Sequence, residues 1–222
     1  MSKTYTINKR GKALSLDPVF PAVGWEGAEA AAIDWFHPAS GPVRPTTWFR
    51  AMYDAEALYI RFDVMDTYVS AKKTKLHDNV CEDSCVEFFV QPPGDTSYFN
   101  FEINAIGTML LYHISDWRRL PEGGFAAYER VREDLCRTVD IRHSVPGPMR
   151  RPIEGPCAWT VSYRIPLSLF AAYKGRCRPR KGDEWRCDMF KCGGSDHWAC
   201  WSRIGRALNF HQPKYFGSLV FG

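Results

Sequence analysis

The chain has 222 residues, a formal net charge of +4, 45% hydrophobic residues and 14% aromatics. This is enough apolar material for one sizeable core and too short a chain for two large ones, so one domain over residues 1–222 is expected. The basic residues are scattered through Arg118-Arg119, Arg150-Arg151 and the stretch from Lys174 to Lys191, which argues against the basic stripe of a nucleic-acid binder.

From the N-terminus, Met1 to Arg10 carries basic residues with no apolar run behind them of the length a secretory signal needs. Read literally the chain stays in the cytoplasm, and a chain trimmed of its leader would read the same while working outside the cell. No stretch approaches the roughly 20 apolar residues of a membrane helix, so no membrane partner is expected. Trp48 to Tyr53, the turn Asp54-Ala55-Glu56-Ala57, and Leu58 to Met65 read as a hairpin. In its second arm Leu58, Ile60, Phe62 and Val64 face the core, while Tyr59, Arg61, Asp63 and Met65 face away.

Cys85 to Gln91 and Tyr98 to Leu111 form a second hairpin around Pro92-Pro93-Gly94-Asp95-Thr96-Ser97, a cluster of turn formers that neither strand can absorb. Between Trp117 and Pro156 the chain is polar, rich in arginine and interrupted by four prolines, which predicts a long surface loop with at least one strand. Alternation resumes at Ala158 to Ile165, Pro166 stops it, and a short helical turn follows over Leu167 to Tyr173. Trp185 to Cys192 and Phe216 to Phe221 complete the strands. Period-two patterns recur and long helical ones do not, so the fold class is all-β, a two-sheet antiparallel β-sandwich of jelly-roll or immunoglobulin-like type.

The eight cysteines read as disulfides in an exported chain and as thiols or metal ligands otherwise. Cys187, Cys192, His197 and Cys200 have the ligand types of a zinc site without its usual paired spacing, and the alternative is that several cysteines are small buried hydrophobes.

If the six-residue connection closes symmetrically, Gln91 pairs with Tyr98 and Glu87 lies directly across from Glu102. Val90 then meets Phe99, Phe88 meets Phe101 and Val86 meets Ile103 on the core face. The other face carries Cys85, Glu87, Phe89 and Gln91 against Tyr98, Asn100, Glu102 and Asn104. Two opposed carboxylates repel and need a cation, a shared proton, solvent or a ligand. Three readings follow. One is a solvated face with Arg61 or another arginine over the pair. The second is a sugar-binding face, where carboxylates and amides meet hydroxyls and aromatic rings pack on pyranoses. The third is a glycoside hydrolase using Glu87 and Glu102. Asp63, Asp66, Asp83 and the two glutamates are hard oxygen donors suited to calcium, with no loop-type calcium motif among them.

The succession Tyr53 to Asp66, then Asp83-Ser84-Cys85-Val86-Glu87-Phe88-Phe89, then Phe99-Asn100-Phe101-Glu102-Ile103-Asn104, closing with Trp201 and Asn209 to Leu219, resembles the family 9 carbohydrate-binding modules. The likeness runs from about Leu16 onward and is weakest between Trp117 and Pro156. The resemblance implies a β-sandwich that binds sugar without catalysis, in many members appended to or partnered by a glycoside hydrolase and carrying structural calcium. It places Glu87 at a sugar-contacting glutamate and Asn104 at a contacting asparagine. The sequence departs from the pattern where Cys81 takes one clamp-tryptophan position, His211 or Phe210 takes the other, and Glu102 stands in place of an arginine. The ring surface is then expected from Trp117, Trp198, Trp201 or His211. The expected carbohydrate site comprises Glu87, Asn100, Glu102, Asn104, Trp201 and His211.

Overall fold

The structure, a computed structural model, describes residues 3–11, 14–19, 22–194 and 196–222; Met1 and Ser2, at the head of the N-terminal stretch read above, lie outside them. In chain order the strands are β1 (Thr4–Lys9), β2 (Ala31–Ala32), β3 (Trp35–Phe36), β4 (Thr46–Tyr53), β5 (Ala57–Val69), β6 (Ser84–Gln91) and β7 (Tyr98–Asn104). They continue with β8 (Met109–Arg119), β9 (Phe125–Arg130), β10 (Asp140–His143), β11 (Ile153–Pro166), β12 (Glu184–Gly193), β13 (Trp198–Cys200) and β14 (Gly217–Phe221). A helix over Leu167–Lys174 follows Pro166, where the helical turn is expected.

Two sheets form the sandwich. One runs β10-β11-β5-β4-β1 and the other β1-β14-β12-β6-β7-β8-β9, so β1 belongs to both. Thr4 to Ile7 pair with β14, and Asn8 and Lys9 pair with β4. Both pairings are parallel, which makes each sheet mixed rather than purely antiparallel. A parallel pair joins strands distant in sequence and leaves no local turn signal.

The core lies between the sheets. Leu58, Ile60, Phe62 and Val64 all face it and are at most 1% exposed. Across the interface Phe49 stacks on Phe88 with ring centroids 5.4 Å apart, and Phe101 stacks on Tyr163 at 6.3 Å. The β6–β7 register is the expected one, with Glu87 opposite Glu102, Phe88 opposite Phe101 and Val90 opposite Phe99.

Three expectations are corrected. The single strand from Tyr98 to Leu111 is two, because Gly107 adopts a φ of +80° and the Asn104 side-chain Oδ1 accepts the Ile106 and Thr108 amides, closing a turn. The region from Trp117 to Pro156 is no long loop. It holds the end of β8, then β9, a short helix over Glu133–Cys136, β10 and the start of β11. Five of the six residues of β9 are exposed, so the strand is polar and shows little apolar alternation. Arg61 and Asp63 do face away from the core, yet they are buried, because the segment around Leu16 to Val19 covers them. The Arg61 guanidinium donates to the carbonyls of Asp17 and Val19 and to the Asp63 carboxylate, far from the glutamate pair it was a candidate to cover.

A second apolar layer forms on the far side of the β12-β6-β7 sheet. Phe89, Tyr98, Phe190, Ile204 and Phe216 pack there under the chain after β13. Asp188 ties that chain down, its Oδ1 accepting the Ser202 and Met189 amides at 2.9 Å. Burial pushes its carboxyl well above the usual range, against those two donors. A carboxyl with a raised folded pKa contributes stability in its protonated state, and that contribution is lost as pH rises from the unfolded value of about 3.9 toward the folded one. Asp188→Asn keeps the accepting oxygen and removes the ionisation. The variant is expected to melt roughly 2–4 °C above the parent at pH 7–8, as for about 1 kcal/mol in a chain of this size. The gap should close toward pH 4 in thermal denaturation followed by circular dichroism.

Candidate functional site

The face of the β12-β6-β7 sheet opposite the core carries Cys85, Glu87 and Phe89 on β6, Tyr98, Asn100 and Glu102 on β7, and Phe190 and Cys192 on β12. Strand alternation puts them there, and the chain after β13 roofs most of them over. One cavity of about 610 Å³ remains open between sheet and roof. Glu87, Glu102 and Cys192 form its floor. Trp198, Leu208, Phe210 and His211 form the wall, and Cys81, Glu82, Arg119, Gly194 and Asn209 complete the lining.

Both floor carboxyls are nearly closed to solvent, Glu87 at 2% and Glu102 at 5% exposure. Glu102 Oε1 accepts from the Asn100 amide at 2.7 Å, and Asn100 Oδ1 in turn accepts the Tyr112 amide at 2.7 Å, which locks the amide orientation. Glu87 Oε1 faces the Cys192 thiol at 3.3 Å. Burial raises the Glu87 carboxyl well above the ordinary range, and the charge of Glu102 adds to the effect. Burial raises Glu102 too, opposed by the Asn100 hydrogen bond and the Arg119 guanidinium. Both groups are thus shifted toward their protonated forms, in which a carboxyl offers an O–H donor beside an acceptor oxygen.

His211 Nδ1 lies 2.9 Å from the Tyr98 hydroxyl, and its ring leans on Phe89 and Phe125 with centroids 4.7 and 4.5 Å apart. Its Nε2 is 3.9 Å from Glu102 Oε1. Burial first, and the Arg119 charge second, hold the imidazole well below its usual pKa, so this contact is dipolar and not an ion pair. Phe210 is held flat against Phe190, centroids 4.2 Å apart and planes 12° from parallel. Arg119, at the end of β8, places its guanidinium over the Phe125 ring at 4.2 Å.

Of the expected site residues, the cavity brings together Glu87, Glu102 and His211, with Asn100 holding Glu102 from behind. It does not include Asn104 or Trp201. Asn104 donates to the Lys73 carbonyl and Asp83 Oδ2 while closing the β7–β8 turn, and all its polar atoms are spent there. Trp201 is 4% exposed and belongs to the core, its ring so close to Gly217 that a Cβ there would lie 2.5 Å away. Trp198 is the cavity tryptophan, while Trp117 packs against the second apolar layer. Arg119 and Cys192 were no part of the expected sugar site; Cys192 reaches the cavity through the pairing of β12 with the distant β6, and Arg119 reaches it from the end of β8.

The series Cys187, Cys192, His197 and Cys200 does not converge. Cys187 points into the core, Cys192 into the cavity floor and Cys200 into the second apolar layer. His197 Nε2 accepts from the buried Lys191 ammonium at 2.8 Å, with the imidazole kept neutral by burial and by that charge. All eight cysteines are free thiols. Three of the hard oxygen donors named above are engaged within the protein. Asp63 is engaged by Arg50, Arg61 and Thr160, Asp83 by the Lys72 and Lys73 amides and Asn104, and Asp66 by Lys191 at 3.3 Å.

Comparison with known proteins supports the same architecture. A protein from Bacteroides uniformis assigned as carbohydrate-binding superimposes over the full length of both chains, with a TM-score of 0.83 and 25% identity. A family 9 carbohydrate-binding module from Caldicellulosiruptor kristjanssonii in complex with glucose matches with a TM-score of 0.60 and 15% identity, over 99% of this chain and 96% of that one. Its complex with cellotriose matches at 0.59 and 15%, over 99% and 93%. No curated protein sequence matches the chain. The model of the family described as carbohydrate-binding family 9 matches residues 22–221, nearly the whole chain, and the protein therefore belongs to carbohydrate-binding family 9.

Proposed function

We propose that the cavity binds a short carbohydrate, one or a few sugar units, and releases it unchanged. The observation that carries this reading is a floor of two buried carboxyl groups facing a cavity walled by Trp198 and Phe210. Hydroxyl groups both donate and accept, so they suit a carboxyl O–H beside an acceptor oxygen, and aromatic rings suit the C–H face of a pyranose. A cavity of 610 Å³ falls in the range of about 300–1,000 Å³ that encloses a small ligand. Family membership and the sugar-bound Caldicellulosiruptor modules support the substrate class. The hydrolase reading is not favoured, because both carboxyl groups sit together on the floor and neither faces the other across the space a sugar would fill.

Isothermal titration calorimetry against glucose, cellotriose and a wider oligosaccharide panel tests the proposal. Saturable heat with no release of reducing sugar is expected, whereas turnover that depends on Glu87 would return the hydrolase reading. Glu87→Ala removes the floor hydrogen bonds and should weaken binding by roughly 1–3 kcal/mol, about fivefold to 150-fold. Glu87→Gln keeps one donor and one acceptor and should cost less than Glu87→Ala. Phe210→Ala strips the wall and should weaken every sugar that Glu87→Ala weakens, with the parent's cooperative melting retained. An unchanged affinity in both alanine variants would remove this cavity from the binding site.

A further inference from the structure

The β6–β12 pairing places Cys85 directly opposite Cys192 on the cavity side of the sheet, with Glu87 two residues further along β6 on the same face. The two Sγ atoms and a Glu87 carboxylate oxygen all lie within 4.8 Å of one another, and all three residues are buried. Two sulfurs bound to zinc at about 2.3 Å with tetrahedral angles sit roughly 3.8 Å apart, so side-chain rotation alone closes the set around an ion.

We propose that Cys85, Cys192 and Glu87 form a three-ligand site for a thiophilic metal ion of the zinc class at the floor of the cavity, with the fourth coordination position facing the cavity. Three independent features support it. The donor set is two sulfurs and one carboxylate, which selects zinc-like ions over calcium or magnesium. The donors stand on adjacent strands of one sheet, a rigid frame for coordination. The floor also suits a cation: Glu87 and Glu102 are buried together, and among the described residues the Glu87 side chain hydrogen-bonds to the Cys192 thiol alone, while Arg119 stands over the Phe125 ring. Cys81 lies directly above, its carbonyl oxygen 3.5 Å from Cys192 Sγ, so the ion would be reached through the cavity mouth. Binding displaces the two thiol protons to solvent, leaving thiolates on the ion, and no oxidation is involved.

The site is argued from ligand geometry and does not rest on the sugar reading, although it shares Glu87 with the proposed sugar site. The test uses the reduced full chain, stripped of metal, with no sugar present. Cobalt(II) is the probe, because tetrahedral thiolate coordination gives a near-ultraviolet sulfur-to-cobalt charge-transfer band together with intense visible bands. The expected result is a one-to-one titration, displaced by zinc, that vanishes in Cys192→Ser and Cys85→Ser and persists in Cys187→Ser, whose thiol lies in the core. Glu87→Gln leaves the fold intact and should weaken zinc at least tenfold in competition with a chromophoric chelator. Absence of the charge-transfer band in the parent, or its survival in Cys192→Ser, overturns the proposal. Sugar titrations repeated in chelator then report on carbohydrate binding separately, so either reading can fail while the other stands.

Discussion

Two carboxyl groups are held opposite each other beneath a roof of aromatic side chains, and the arrangement of the cavity answers that constraint. Their partners on the core face, Val86, Phe88 and Val90 against Ile103, Phe101 and Phe99, fix the register, so the carboxyls cannot separate without breaking the core. Once the register holds, the floor must contain protons, a cation or a ligand. Asn100 orients one carboxyl, the Cys192 thiol meets the other, and His211 stays neutral between Tyr98 and Glu102. A site of this kind is preorganised by packing rather than by flexible loops, which limits what binding must spend in ordering it.

The rest of the fold divides along the same sheet. One apolar layer lies between the two sheets and holds the molecule together. The other lies between β6, β7 and β12 and the chain after β13, and it leaves the cavity at its margin. Phe190 and Phe210 link the two roles, one ring on the sheet and the other on the wall. Where the resemblance anticipates a tryptophan clamp, this chain carries a thiol on a short 3-10 turn, Val80–Glu82, and a phenylalanine stacked on the sheet. The wall is thus anchored to the sheet through ring packing.

Much of this was legible from the residues. Turn formers at Pro92 to Ser97 and clean alternation on either side were enough to pair Glu87 with Glu102, because a hairpin register depends on local chemistry. The covering of the two sheets' outer faces was not legible, since Arg61 on one sheet and Phe89 on the other look solvent-facing until a remote segment covers them. That Asn104 and Trp201 lie outside the cavity was not legible for a related reason. A polar side chain spent in a turn and a tryptophan closing the core have the same sequence signature as ligand contacts. The exposed strand β9 and the parallel pairings of β1 left no periodic trace. Cys85 meeting Cys192 depends on two strands separated by about a hundred residues.

The strand shared by both sheets has a temporal consequence. β1 completes its place beside β14, a partner some two hundred residues further along the chain. During synthesis the first strand therefore leaves the ribosome with one edge unpaired until the last strand follows, and contacts of such long range slow folding. Over that interval the β12-β6 frame of the cavity can assemble before β14 joins it. The seam between the sheets can close only once β14 is present, and a nascent chain depends on protection of that edge until then.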